Sequence, residues 1–138
     1  MAEEESVRDL CAITRERFGR IDILHNNAAD TRISQMAADA AIEDMDCGIW
    51  DRAFTLNVRG TMLMIKHCVH SMIEMGHGSI INIGSGVSVL GDLFNPAYST
   101  SKGAVNTLTR NVAASLANEA FDAMPFFRAL FLPHTQKK

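Results

Sequence analysis

Helical and strand-like patterns of apolar residues alternate along this chain. At residues 7–18, apolar positions recur at helical spacing with charges between them, which predicts an amphipathic helix. Two short stretches, 21–25 and 79–84, are apolar along most of their length and predict buried strands. A long helical pattern covers residues 49–75, and another begins at Pro96, a favoured residue at the first helical position, and extends to about residue 119.

The order helix, strand, helix, strand, helix predicts an α/β fold. Strands that are apolar along their length and separated by long helices indicate a doubly wound parallel sheet with helices on both faces. Two strands alone make too small a sheet for three helices, and a third strand at residues 126–132 is one interpretation of the apolar tail. We therefore expect residues 1–138 to form a single partial domain, truncated at both ends, with a divergent tail at 120–138.

The composition is that of a soluble globular protein. Hydrophobic residues make up 47% of the 138 residues and charged residues 21%. The net charge of −3, without a basic stripe, gives no sign of a nucleic-acid partner, and no apolar run approaches the ~18 residues of a membrane helix. The three cysteines lack metal or redox spacing, and the acidic first residues are unlike a targeting peptide, so we expect a cytoplasmic protein without a metal site.

The clearest candidate chemistry lies in the segment NPAYSTSKGAV. Its tyrosine, Tyr98, is the only one in the chain, and Lys102 follows four residues later. Positions i and i+4 share one face of a helix, so the phenol and the ammonium would point into one site. A nearby cation favours the phenolate and lowers the pKa of the phenol, which suits a general acid or base. The alternative is a packed tyrosine beside a solvated lysine.

Three further polar residues stand at positions that favour a site. Ser85 follows the strand at 79–84, and Asn26 follows the strand at 21–25. The carboxyl ends of parallel strands meet at one edge of the sheet, where open α/β folds bind ligands. Asn57 lies within an apolar helical stretch, where a buried amide must find partners; its alternative interpretation is a helix kink satisfied by water.

These motifs resemble those of the short-chain dehydrogenase/reductase family. NNAA at 26–29 resembles the family motif NNAG, and LNVRG places Asn57 where the family has its catalytic asparagine. The strand IINIGS ends in Ser85, as the family strand ends in its catalytic serine, and YSTSK matches YxxxK with Tyr98 and Lys102. The resemblance covers about residues 7–119 and implies a Rossmann-like fold.

The resemblance implies an oxidoreductase that transfers hydride between a nicotinamide cofactor, NAD or NADP, and a small-molecule carbonyl or alcohol. Tyr98 would exchange the proton as general acid or base. Lys102 would lower the pKa of Tyr98 and hold the nicotinamide ribose. Ser85 would polarise the substrate oxygen, and Asn57 would hold a water that links Lys102 to solvent.

Cofactor contacts are implied for Asn26 and Ala28, on the adenosine side, and for Tyr98 and Lys102. The family's glycine-rich TGxxxGxG turn, which binds pyrophosphate at a helix amino end, is not found in this sequence. The family resemblance therefore leaves open whether the isolated chain is active. The alternative hypothesis is a catalytically silent fragment that acts as a helix-pairing interaction module. In the family the two long helices form the main dimer interface, so the resemblance also implies a homo-oligomer.

Overall fold

The computed structural model describes residues 3–29, 38–91, 94–120 and 126–132, with side chains as far as residue 117. In chain order its helices and strands are α1 (Glu4–Phe18), β1 (Ile23–Asn26), α2 (Cys47–Ala53), α3 (Gly60–Met75), β2 (His77–Ile83), α4 (Val87–Leu90), α5 (Pro96–Ala120) and β3 (Phe126–Leu132). A 3-10 turn spans Ile42–Asp44. None of the helices within these ranges is both long enough and apolar enough to cross a membrane.

The three strands form one parallel sheet in the order β1-β2-β3. Ile23 pairs with Ser79 between β1 and β2, and Ile80 pairs with Ala129 between β2 and β3. The parallel α/β fold predicted from the sequence is confirmed, and so is the third strand at 126–132. All three carboxyl ends therefore meet at one edge of the sheet.

The core lies between one face of the sheet and the helices. Ile80 of β2 is fully buried and Leu24 of β1 is 5% exposed, and both belong to one cluster with residues of α1, α3 and α5. Successive strand residues point to opposite faces, and Ile23, next to Leu24, is 64% exposed. Helices on both faces were expected, but in the described residues the second face of β1 is open.

The helix predicted at residues 49–75 is not regular along its length. Between α2 and α3 the chain continues as a π-helical segment, Phe54–Arg59, without a break in direction of the chain. This segment holds Asn57, which is 3% exposed. Short π-helical insertions occur frequently at functional sites, because the extra residue changes the direction of nearby side chains.

Candidate active site

Ser85 and Tyr98, predicted from separate motifs, are in direct contact. Ser85 lies two residues beyond the end of β2 and is 3% exposed. Tyr98 lies in the first turn of α5, and its side chain is hydrogen-bonded to that of Ser85. A hydroxyl pair at the carboxyl end of a parallel strand is positioned to contact one oxygen atom of a ligand.

Lys102 lies on the same side of α5 as Tyr98. Its ammonium donates a 2.8 Å hydrogen bond to the backbone carbonyl of Ile83, the last residue of β2. The Nζ atom is 5.8 Å from the centroid of the Tyr98 ring, and Lys102 as a whole is 4% exposed. The i, i+4 spacing therefore brings both side chains to the end of β2, and the alternative of a solvated lysine is wrong.

In the protein chain alone, burial sets the direction in which the pKa values of Tyr98 and Lys102 shift. Burial raises the pKa of Tyr98 above its ordinary value, and the hydrogen bond from Ser85 opposes this in part. Burial also lowers the pKa of Lys102. From the sequence, Lys102 was expected to lower the pKa of Tyr98. The shift found is in the opposite direction, because desolvation of the phenolate dominates. At neutral pH the phenol is protonated and able to donate.

Asn57 is connected through Ser101 to α5, the helix that carries Tyr98. Its Nδ2 donates to Ser101 Oγ at 2.9 Å, and Ser101 Oγ donates to the backbone carbonyl of Tyr98 at 2.7 Å. The Oδ1 atom of Asn57 is buried and has no hydrogen-bond partner among the described residues. A buried amide oxygen of this kind normally has a partner, so it is suited to accept from a water or a ligand.

Asp39 belongs to the site although sequence reasoning missed it. Its carboxylate is 5% exposed and accepts two backbone hydrogen bonds at the start of α5, from Ala97 at 3.0 Å and from Tyr98 at 2.8 Å. These N–H groups have no partner within the helix, so the carboxylate satisfies them in the manner of a cap. Asp39 thereby fixes the turn that carries the tyrosine.

Asn26 and Ala28 lie at the end of the neighbouring strand, β1. Both line a cavity of about 160 Å³ that also contacts the start of α3 at Gly60 and Thr61. The Nδ2 of Asn26 donates at 2.8 Å to the amide oxygen of Asn82, its register partner on β2. Asn26, one of the two residues predicted to lie on the adenosine side of the cofactor, therefore also joins β1 to β2.

The series of side-chain hydrogen bonds that begins at Asn26 continues from the sheet to α5. Asn82 is fully buried, and its Nδ2 donates to Thr109 Oγ1 at 2.9 Å. Thr109 in turn donates to the backbone carbonyl of Val105 at 2.8 Å. Neither Asn82 nor Thr109 was predicted from the sequence. The signal that could have indicated Asn82 is its position as an amide within an otherwise apolar strand.

A family model described as short chain dehydrogenase matches residues 1–123 of this chain. The chain belongs to that family. Among curated relatives it is similar to (+)-borneol dehydrogenase 2 of Salvia officinalis, with 41% identity over 82% of this chain and 38% of the relative. It is also similar to 2-(R)-hydroxypropyl-CoM dehydrogenase of Xanthobacter autotrophicus, with 37% identity over 85% of this chain and 46% of the relative. The chain thus spans less than half the length of these two relatives.

Two solved structures share the fold of this chain. The crystal structure of an NAD+-bound xylitol dehydrogenase matches 97% of this chain and 47% of its own chain, with 30% identity and a TM-score of 0.85. A structure of ElxO with NADP bound matches 99% of this chain and 51% of its own, with 23% identity and a TM-score of 0.86. The Rossmann-like fold class is therefore confirmed.

Proposed function

We propose that this chain carries the catalytic portion of an NAD(P)-dependent oxidoreductase that interconverts a small-molecule carbonyl and the corresponding alcohol. The observation that carries the proposal is the cluster of Ser85, Tyr98 and Lys102 at the carboxyl end of β2. When bound, a nicotinamide cofactor, NAD or NADP, supplies or accepts the hydride. Its binding in the NAD+- and NADP-bound relatives of known structure supports this cofactor class.

Tyr98 is the general acid in the direction of carbonyl reduction. Its hydroxyl is protonated at neutral pH, because burial raises its pKa, and it is held by Ser85. As negative charge develops on the substrate oxygen, Tyr98 donates its proton while Ser85 donates a second hydrogen bond to the same oxygen. In the direction of alcohol oxidation Tyr98 accepts the proton, which requires additional positive charge near the phenol.

Lys102 supplies a positive charge for that purpose, since its Nζ lies 5.8 Å from the centroid of the Tyr98 ring. Its Nζ has three donors, of which one is used by the carbonyl of Ile83. The others are suited to hold a ribose hydroxyl of the cofactor and to exchange protons with a water. The buried Oδ1 of Asn57, which has no hydrogen-bond partner among the described residues, supports a water or a further polar group beside Asn57. Asn26 and Ala28, which line the cavity at the end of β1, are proposed to contact the adenosine side of the cofactor.

Reduction of a panel of ketones and aldehydes by NADH or NADPH tests this proposal. Tyr98→Phe removes only the hydroxyl, and we expect the rate to fall by at least about 100-fold, the usual contribution of a general acid. Ser6→Ala, on the exposed surface of α1, is the control and leaves the rate unchanged. Activity in Tyr98→Phe equal to that of the unchanged chain would refute the assigned role.

The second candidate function is a catalytically silent chain that pairs through its long helices. It is favoured by a groove of about 470 Å³ beside the outer side of α5, lined by Phe54, Val87 and small residues that include Gly103 and Ala104. Small residues allow close approach of another helix. A homo-oligomer through the two long helices and a cytoplasmic location stay predictions. A chain that pairs but neither binds nor oxidises NADH would favour this candidate.

A further inference from the structure

Two cysteines that are far apart in the sequence meet in the core. Cys11 on α1 and Cys68 on α3 are 57 positions apart, and their Sγ atoms are 3.1 Å apart. Both are free thiols, and they are 4% and 2% exposed. A disulfide bond is about 2.0 Å long, so the two sulfurs need to approach by only about 1 Å to form one.

We propose that Cys11 and Cys68 are an oxidative modification site, at which a peroxide converts the thiol pair to an intramolecular disulfide that links α1 to α3. The Cys11 thiolate attacks one oxygen of hydrogen peroxide, the O–O bond breaks, and the released hydroxide takes up a proton as water. The Cys68 sulfur then attacks the Cys11 sulfenic acid and displaces hydroxide, which leaves as water with the Cys68 proton. Two thiols lose two electrons and one peroxide becomes two waters.

The order of the two steps follows from the surroundings of the two sulfurs. Burial, together with the hydrogen bond shared with Cys11, raises the pKa of Cys68 to about 12, so Cys68 is protonated at neutral pH. A protonated thiol is a poor nucleophile toward peroxide. Cys68 is therefore assigned the second step, and we expect the whole reaction to accelerate as the pH rises.

Access to Cys11 depends on how firmly α1 is held. Of the fifteen residues of α1, only Val7 and Cys11 are buried, whereas Leu10 and Ile13 are 50% and 60% exposed. The helix is held to α3 chiefly by these two residues and by exposed ion pairs such as Arg15 to Glu74 at 3.0 Å. Exposed ion pairs contribute little, so α1 can separate from α3 locally and admit a small oxidant.

The third cysteine provides the matched control. Cys47 is exposed and lies in α2, away from the pair. The variant Cys47→Ser leaves Cys11 and Cys68 as the only thiols, so any disulfide within one chain must join them. The double variant Cys47→Ser/Cys68→Ser removes the second reacting sulfur. The sulfenic acid of Cys11 then has no thiol within the chain to condense with, and dimedone traps it.

Treatment of Cys47→Ser with hydrogen peroxide, followed by denaturation, thiol alkylation and mass spectrometry, tests the proposal. We expect a monomer that has lost two hydrogens, accepts no alkylating reagent, yields a peptide linking Cys11 to Cys68, and recovers both thiols on reduction. Amide hydrogen exchange in α1 should slow by about tenfold in the oxidised chain, because the cross-link opposes its local separation. Two alkylatable thiols after treatment, sulfinic acid without a cross-link, or disulfide-linked dimers would each overturn it.

Discussion

Removal of the Asp39 carboxylate should loosen the turn that carries Tyr98. The carboxylate is buried and accepts the backbone N–H groups of Ala97 and Tyr98 at 3.0 and 2.8 Å. In Asp39→Ala both N–H groups lose their acceptor in a region closed to solvent, and each buried donor left unsatisfied costs about 1–3 kcal/mol. A lost N-terminal cap costs about 0.5–2 kcal/mol in other helices, so a fall of about 2–4 kcal/mol in the free energy of unfolding is expected.

The isosteric variant Asp39→Asn separates this contribution from the cavity left by alanine. An asparagine keeps one oxygen acceptor and presents an NH₂ group to the other N–H, so the expected loss is smaller, about 1–2 kcal/mol. Urea denaturation followed by circular dichroism gives both values. Asp44→Ala, in the exposed 3-10 turn, is the matched control and should change stability by less than about 0.5 kcal/mol.

The capping role of Asp39 also predicts a local effect on the first turn of α5. If the carboxylate holds the first turn of α5, Asp39→Ala should increase amide exchange there more than in α3. Equal stability of Asp39→Ala and Asp44→Ala would refute the capping role, because loss of the acceptor for the two buried N–H groups would then have no measurable cost. Uniformly faster exchange, without a preference for α5, would also contradict it.

Further predictions concern the titration of the tyrosine and two close contacts. Because Tyr98 is the only tyrosine, its ionisation can be followed by ultraviolet absorbance; its pKa should lie above about 10, and Ser85→Ala should raise it further by removing the opposing hydrogen bond. Since the pKa of Tyr98 is raised in the folded state, the stability that the protonated phenol contributes is fully present below about pH 10 and is lost as the pH rises through the folded-state pKa. Urea denaturation should therefore show a steeper fall of stability above about pH 10 in the unchanged chain than in Tyr98→Phe. Gly78→Ala should lower the thermal midpoint, because a Cβ would lie 2.5–2.7 Å from Met72 side-chain atoms. Asn82→Leu should cost about 2–3 kcal/mol in urea denaturation, because the hydrogen bonds it makes are lost.

The sequence predicted those parts of the structure that depend on local patterns. The helices and strands followed from apolar periodicity, and the meeting of Ser85, Tyr98 and Lys102 followed from helix spacing and from the edge of a parallel sheet. The boundaries shifted by a few residues: the strand predicted at 21–25 is Ile23–Asn26, and α2 begins at Cys47. Such shifts are ordinary because end residues of an element share its pattern only in part.

The features that were missed depend on contacts between distant residues. Asp39 caps a helix that begins 57 positions later, and no local pattern distinguishes it from other acidic residues. The π-helical segment around Asn57 was not recognised in the apolar pattern, because its six residues are too few to show a different period. The pKa direction of Tyr98 was wrong for the chain alone because it depends on burial, which spacing does not give.

Binding of a nicotinamide cofactor by the purified chain tests the central claim most directly. Calorimetric titration with NADH and with NADPH should give saturable binding of at least one of them, weakened in Lys102→Met and unchanged in Lys66→Met, whose lysine is exposed and pairs with Glu4. That result would support a cofactor held at the Tyr98 and Lys102 site. Heat signals without saturation up to millimolar cofactor, or equal affinity in Lys102→Met and Lys66→Met, would contradict it.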